Sequence, residues 1–117
     1  MANRYRGEID AVLDGRRYTL CLTLGALAEL EAAFQAEDLA ALADRFGAGR
    51  LSARDAATIV AAGLRGGGHD VEAADVARMR ADGGAAGFAK IVTELLLATF
   101  GGGGGADGVE APSSANP

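Results

Sequence analysis

Asp14-Gly15 lies between two runs of alternating apolar and polar residues, and this arrangement leaves the amino-terminal part of the chain little choice of structure. Before it, Tyr5, Gly7, Ile9, Ala11 and Leu13 fall on one side and Arg6, Glu8 and Asp10 on the other. After it, Tyr18, Leu20 and Leu22 alternate with Arg17, Thr19 and Cys21. A period of two marks half-buried strands, and an Asp-Gly pair between two such runs is the strongest short-range signal for a hairpin. A two-residue turn sets the register: Leu13 opposite Arg16, Ala11 opposite Tyr18, Ile9 opposite Leu20 and Gly7 opposite Leu22. The apolar partners then share one face, and Tyr5, Ile9, Leu20 and Leu22 are expected to pack onto the helices of the remaining chain.

Beyond Leu22 the period becomes helical. Thr23 is placed to cap a helix running to about Gln35, with Leu24, Leu27, Ala28, Leu30 and Phe34 on one side and Glu29, Glu31 and Gln35 on the other. A second, short helix fits Asp38 to Phe46, with Leu39, Leu42, Ala43 and Phe46 as its stripe. Glu37 and Asp38 suit its positive end, Arg45 suits its negative end, and Gly47 is expected to stop it. Ser52 to Asp55 resembles a capping box with Asp in place of Glu, and opens a third helix in which Ala56, Ile59, Val60, Gly63 and Leu64 repeat at helical spacing before Gly66-Gly67-Gly68. Asp70 is expected to cap a weaker fourth helix carrying Val71, Val76 and Met79, terminated by Asp82-Gly83-Gly84.

The last helix, about Ala85 to Phe100, has more apolar surface than one stripe requires. Stepping ~100° per residue gathers Phe88, Ile91, Val92 and Leu95 in one arc, while Leu97 lands opposite and Phe100 between the two. Either the fourth helix, through Val76 and Met79, lies over these extra groups, or they are left as an interaction patch. Leu96, Leu97 and Phe100 are therefore the candidate partner-binding residues. From Gly101 the chain reads GGGGGADGVEAPSSANP, the composition of a solvated tail. The expected architecture is α+β: a single small domain over residues 1–100, with an N-terminal β-hairpin followed by a bundle of about four to five short α-helices, and a disordered Gly/Pro/Ser-rich tail over 101–117.

The residue inventory argues against most reaction chemistry. There is one His and one Cys, whereas zinc sites draw on several of these at fixed spacing. His69, between Gly68 and Asp70, reads as a loop or capping residue, and Cys21, on a strand, as an inert, partly buried thiol that can form no disulfide within the chain. Gly103 to Gly108 matches G-x-G-x-x-G, but it follows a helix and does not open one, so the geometry that cradles a dinucleotide is missing. Glu29, Glu31, Glu37, Asp38 and Asp44 are accounted for by solvation and helix ends rather than by a catalytic pair. Catalytic residues, cofactors and metals are thus not expected. With 11 Lys+Arg against 16 Asp+Glu, a net charge of -5, and Arg4, Arg6, Arg16 and Arg17 interleaved with Glu8, Asp10 and Asp14, nucleic acid is not the expected partner. Charges near the start interrupt any secretory signal, and no stretch approaches the ~18 apolar residues of a membrane span, so a cytoplasmic, membrane-free protein is expected.

Several segments together carry a family likeness: Leu22-Thr23-Leu24-Gly25-Ala26-Leu27-Ala28-Glu29-Leu30-Glu31, Leu39 to Phe46, Gly49-Arg50-Leu51-Ser52, Ala62-Gly63-Leu64-Arg65, and the closing Leu95-Leu96-Leu97-Ala98-Thr99-Phe100-Gly101. In this order, from about Arg4 to Gly101, the sequence resembles the small gene transfer agent family of tail proteins, related to the tail assembly chaperones of phages and sometimes labelled tail tube proteins. The resemblance implies a non-enzymatic role in building a phage-like tail, with the tape measure protein and tail tube subunits as partners. Two other readings stay open beside the chaperone: a structural subunit of the tail tube, and an unrelated small enzyme or regulator. A tube subunit of the common type should be mainly β, which the helical count disfavours. Deleting residues 102–117 is expected to leave the thermal midpoint unchanged within error by circular dichroism; a fall of several degrees would make the tail part of the folded unit.

Overall fold

A computed structural model describes residues 2–3, 6–48 and 51–101 of the chain. Strands β1 (Glu8–Leu13) and β2 (Arg16–Cys21) form an antiparallel hairpin, followed by helices α1 (Leu24–Phe34), α2 (Leu39–Gly47), α3 (Ala53–Gly66), α4 (Ala73–Val76) and α5 (Gly84–Phe100). Asp14 and Gly15 both adopt positive φ, 54° and 75°, the backbone that lets a two-residue turn follow the twist of its strands. The register is the expected one, with Leu13 opposite Arg16, Ala11 opposite Tyr18 and Ile9 opposite Leu20. Ile9, Ala11, Leu13 and Leu20 are buried. The turn is tied down from outside: the Asp14 N–H donates to the Arg80 carbonyl at 2.8 Å, and the Arg80 N–H donates to the Asp14 carboxylate at 2.9 Å.

Two helix starts are capped as the sequence suggests, and Asp38, expected only to suit the positive end of α2, caps it as well. The Thr23 hydroxyl accepts from the Ala26 N–H at 3.1 Å, the Asp38 carboxylate from the Ala41 N–H at 2.8 Å, and Ser52 and Asp55 close a reciprocal box at 3.1 Å each way. Each satisfies an amide that the first turn leaves without an intrahelical partner, worth about 1 kcal/mol. Gln35, at φ 56°, ends α1 in the left-handed conformation.

Helix α3 is the centre of the molecule. Ile59, Val60, Ala61, Ala62, Gly63 and Leu64 are consecutive and all buried, which requires neighbours all round, and α3 touches β2, α1, α4 and α5. Glycines permit this. A Cβ on Gly63 would stand 2.7 Å from Leu95 Cδ2, and one on Gly66 or Gly67 would overlap the carbonyl oxygen of Cys21 or Thr19 respectively. Because Leu13 and Arg16 flank a two-residue turn, hydrogen bonding alternates so that Thr19 and Cys21 turn their backbone groups away from β1. The carboxyl end of α3 therefore lies against the outer edge of β2. Arg65, in the same turn, donates to Glu29 at 2.6 Å and to the Val71 carbonyl at 2.9 Å, joining α1, α3 and the chain beyond.

Several details depart from the sequence reading. Leu24 is 76% exposed and Ala28 is exposed, whereas Ala26 is buried. Helix α1 is apolar on almost every side, so its period did not select a face, and contact with α3 and α2 did. Leu39, at the first position of α2, is 41% exposed. Gly47 belongs to α2, and Ala48 comes after it as the cap. Asp70 caps nothing: α4 is a single turn opened by Glu72 with Asp75, because the Arg65 guanidinium and the Leu64 carbonyl hold the Val71 carbonyl and the His69 N–H ahead of it. After that turn the chain extends, and Ala81 bridges to Leu13 before Gly83 and Gly84 lead into α5. Arg4, Tyr5, the Gly103 to Gly108 match and the tail expectation fall outside the described residues.

Gly67→Ala is expected to destabilise the protein by about 1–3 kcal/mol by pushing α3 off β2, lowering the thermal midpoint by roughly 5–15 °C. Gly47→Ala, where a Cβ meets nothing within 4 Å, should instead raise it slightly. Equal behaviour of the two variants in a thermal melt would show that the helix–strand approach is not needed.

Candidate functional site

Helices α3 and α5 both turn one side to the core, and beside it their small residues leave a groove of about 770 Å³ that α4 also lines. Its lining includes Val76, Phe88, Val92, Phe46, Leu51 and Leu96, together with seven alanines from the three helices and Ala77 at the end of α4. The volume lies within the range of ligand pockets, but Ser52, Arg54 and Thr93 are the polar side chains in a mostly apolar lining, which suits a hydrophobic surface rather than a polar small molecule.

Of the three expected partner-binding residues, Leu96 lines this groove, while Leu97 and Phe100 are not among its lining residues. On α5, Ala85, Ala89, Leu96 and Thr93 lie about 60–140° round the helix from Phe88, and all four line it. Phe100 falls at about 120° and Leu97 at about 180° on the same count. Leu96 is half-buried in the groove lining. Phe100 is half-buried with its ring 6.5 Å from that of Phe46, which meets Phe34 edge-on at 5.4 Å. Leu97 is 49% exposed, so α4 does not cover it. Val76 is buried and faces the groove instead, because one helical turn is too short to reach across α5. The groove itself is what sequence reasoning missed. Its signal was the run of alanines in α3, α4 and the start of α5, which looks the same whether the helices close together or stand apart.

The remaining chemistry-bearing residues are dispersed. The His69 ring packs edge-on against Tyr18 at 4.9 Å, and Arg16 lies 5.5 Å over the Tyr18 ring. Glu29 is held by Arg65, and Asp38 caps α2. Among the described residues no three of His, Cys, Asp and Glu are grouped to hold a metal ion, and no helix is long and apolar enough to cross a membrane. Cys21 is partly buried with its thiol directed at the Arg6 carbonyl, 3.6 Å away. Burial, and after it the Glu8 carboxylate, push the thiol above its ordinary pKa, with Arg6 opposing.

A family model described as phage tail tube protein, GTA-gp10, matches residues 6–102. No curated protein and no solved structure gives a significant match. The matched span runs from just before β1 to just past α5, so it includes the hairpin, all five helices and the whole groove.

Because its pKa is raised, Cys21 holds less thiolate than a free cysteine between neutral pH and its own pKa. Alkylation followed by mass spectrometry should be slower than for glutathione at about pH 7.5, climbing through a midpoint above that of a free thiol. A faster rate would contradict the burial of the thiol.

Proposed function

The chain belongs to the phage tail tube protein, GTA-gp10, family, and we propose that within it this protein acts as a tail assembly chaperone, binding the tape measure protein and tail tube subunits before the tube polymerises. The role is non-enzymatic and is exercised through a surface, with residues 1–100 as the binding unit and 101–117 outside it.

The observation that carries this reading is the state of the hairpin. A ring built by strand pairing needs two open sheet edges on each subunit, one to donate and one to accept. Among the described residues the sheet has two strands of 6 residues each, its β2 edge is occupied by Gly66 and Gly67, and the turn end of β1 is bridged by Ala81. An apolar groove, with an exposed leucine on one of the helices that line it, is by contrast the equipment of a protein that holds another chain. The family's own description favours a second reading, a subunit of the tube wall.

Mass spectrometry of purified particles separates the two: a chaperone is absent or scarce, a tube subunit abundant. Leu97→Asp should abolish co-purification with the tape measure protein while changing stability by no more than about 0.5 kcal/mol, as at other exposed sites. Unfolding of that variant would make Leu97 a core residue, and unchanged binding by a folded variant would move the partner surface away from α5.

A further inference from the structure

The groove is uneven in charge as well as apolar. Arg54 is the one charged side chain in its lining, which includes no carboxylate, although acids outnumber bases in the chain as a whole. The acids nearest in sequence are engaged elsewhere: Asp55 with the Ser52 N–H and Arg45, Asp75 with the Glu72 N–H and Arg78. Among the described residues none pairs with Arg54. Helix α5 begins at Gly84 with no side-chain cap and no acid in its first turn, and its Ala85 lines the groove.

These features narrow the occupant. A second copy of this chain would bring a net charge of -5 against an equal charge, and self-repulsion opposes that. The chain's own residues beyond Gly101 include Val109 as their one large apolar side chain, too little to fill an apolar groove of about 770 Å³. An amphipathic helix fits better. Alanine walls let a helix backbone come close, and the length of α5 offers successive places for side chains spaced three and four apart.

We propose that the groove between α3, α4 and α5 binds an amphipathic α-helix of the partner, its apolar stripe seated against Phe88, Ala89 and Leu96 and an Asp or Glu beside that stripe paired with Arg54. The proposal rests on the chaperone reading and deepens it by giving the partner segment a form and a sign of charge.

The test uses the full chain, co-expressed with the tape measure protein of the same particle and also titrated with overlapping synthetic peptides that cover it, monitored by fluorescence anisotropy. The bound peptides should be amphipathic helices carrying a carboxylate beside the apolar stripe. Ala89→Glu, at an exposed position in the groove wall, should weaken binding more than about tenfold, and Arg54→Glu by about tenfold, with recovery when the peptide's acid is exchanged for Lys. Ala74→Glu blocks the α4 wall should Ala89→Glu melt early. If the wild type holds the tape measure protein and folded groove variants hold it equally well, the groove proposal is overturned and the chaperone reading stands. If the wild type does not hold it at all, the chaperone reading falls and the proposed occupant falls with it. A gain in peptide affinity on deleting residues 102–117, or a wild-type dimer that Ala89→Glu splits, would assign the groove to the chain's own tail or to a second copy, and either result overturns the proposal.

Discussion

The carboxyl end of α3 lies directly against the outer edge of β2, and the rest of the packing is arranged around that contact. Helix and strand come this close only because Gly66 and Gly67 have no Cβ to meet the Cys21 and Thr19 carbonyls. The hairpin depends on it, since two strands alone are marginal in water and need a helix packed over their apolar face. The helix depends on it in turn. With its end held at the sheet, α3 buries six consecutive residues among β2, α1, α4 and α5. Gly63 extends the same device one turn back, where Leu95 of α5 and Leu20 of β2 close over it.

The same contact shapes what the protein can do. By covering β2 it removes one of the two edges through which a small sheet could polymerise, and the tie between Asp14 and Arg80 restrains the far end of β1. Function therefore shifts to the helical side. There Ala61 and Ala62 of α3 pack in the core, while the alanines of α3 and α5 beside it are too short to bridge the gap between the helices, and α4 is only one turn long. The groove is the space that small side chains leave between well-held helices.

Much of the local structure was legible in the amino-acid order. Alternation around Asp14-Gly15 determined the hairpin and its register, Thr23 and Ser52 with Asp55 determined where two helices begin, and the off-stripe positions of Leu97 and Phe100 announced surplus apolar surface on the last helix. The one-turn α4 was less legible, because the hydrogen bonds that displace its start come from Arg65 and Leu64, residues outside the segment itself.

Sequence by itself thus determined the hairpin, its register and where α1 and α3 begin, because these arise from hydrogen bonds and steric contacts within a few residues of chain. Tertiary structure alone decided that Leu24 faces outward and Ala26 inward, that three glycines carry the close contacts of α3, and that Leu96 lines a groove while Leu97 stands exposed. Each of these depends on which distant segment arrives to cover a given apolar side chain, and an apolar pattern read along one helix is the same before and after that neighbour is in place.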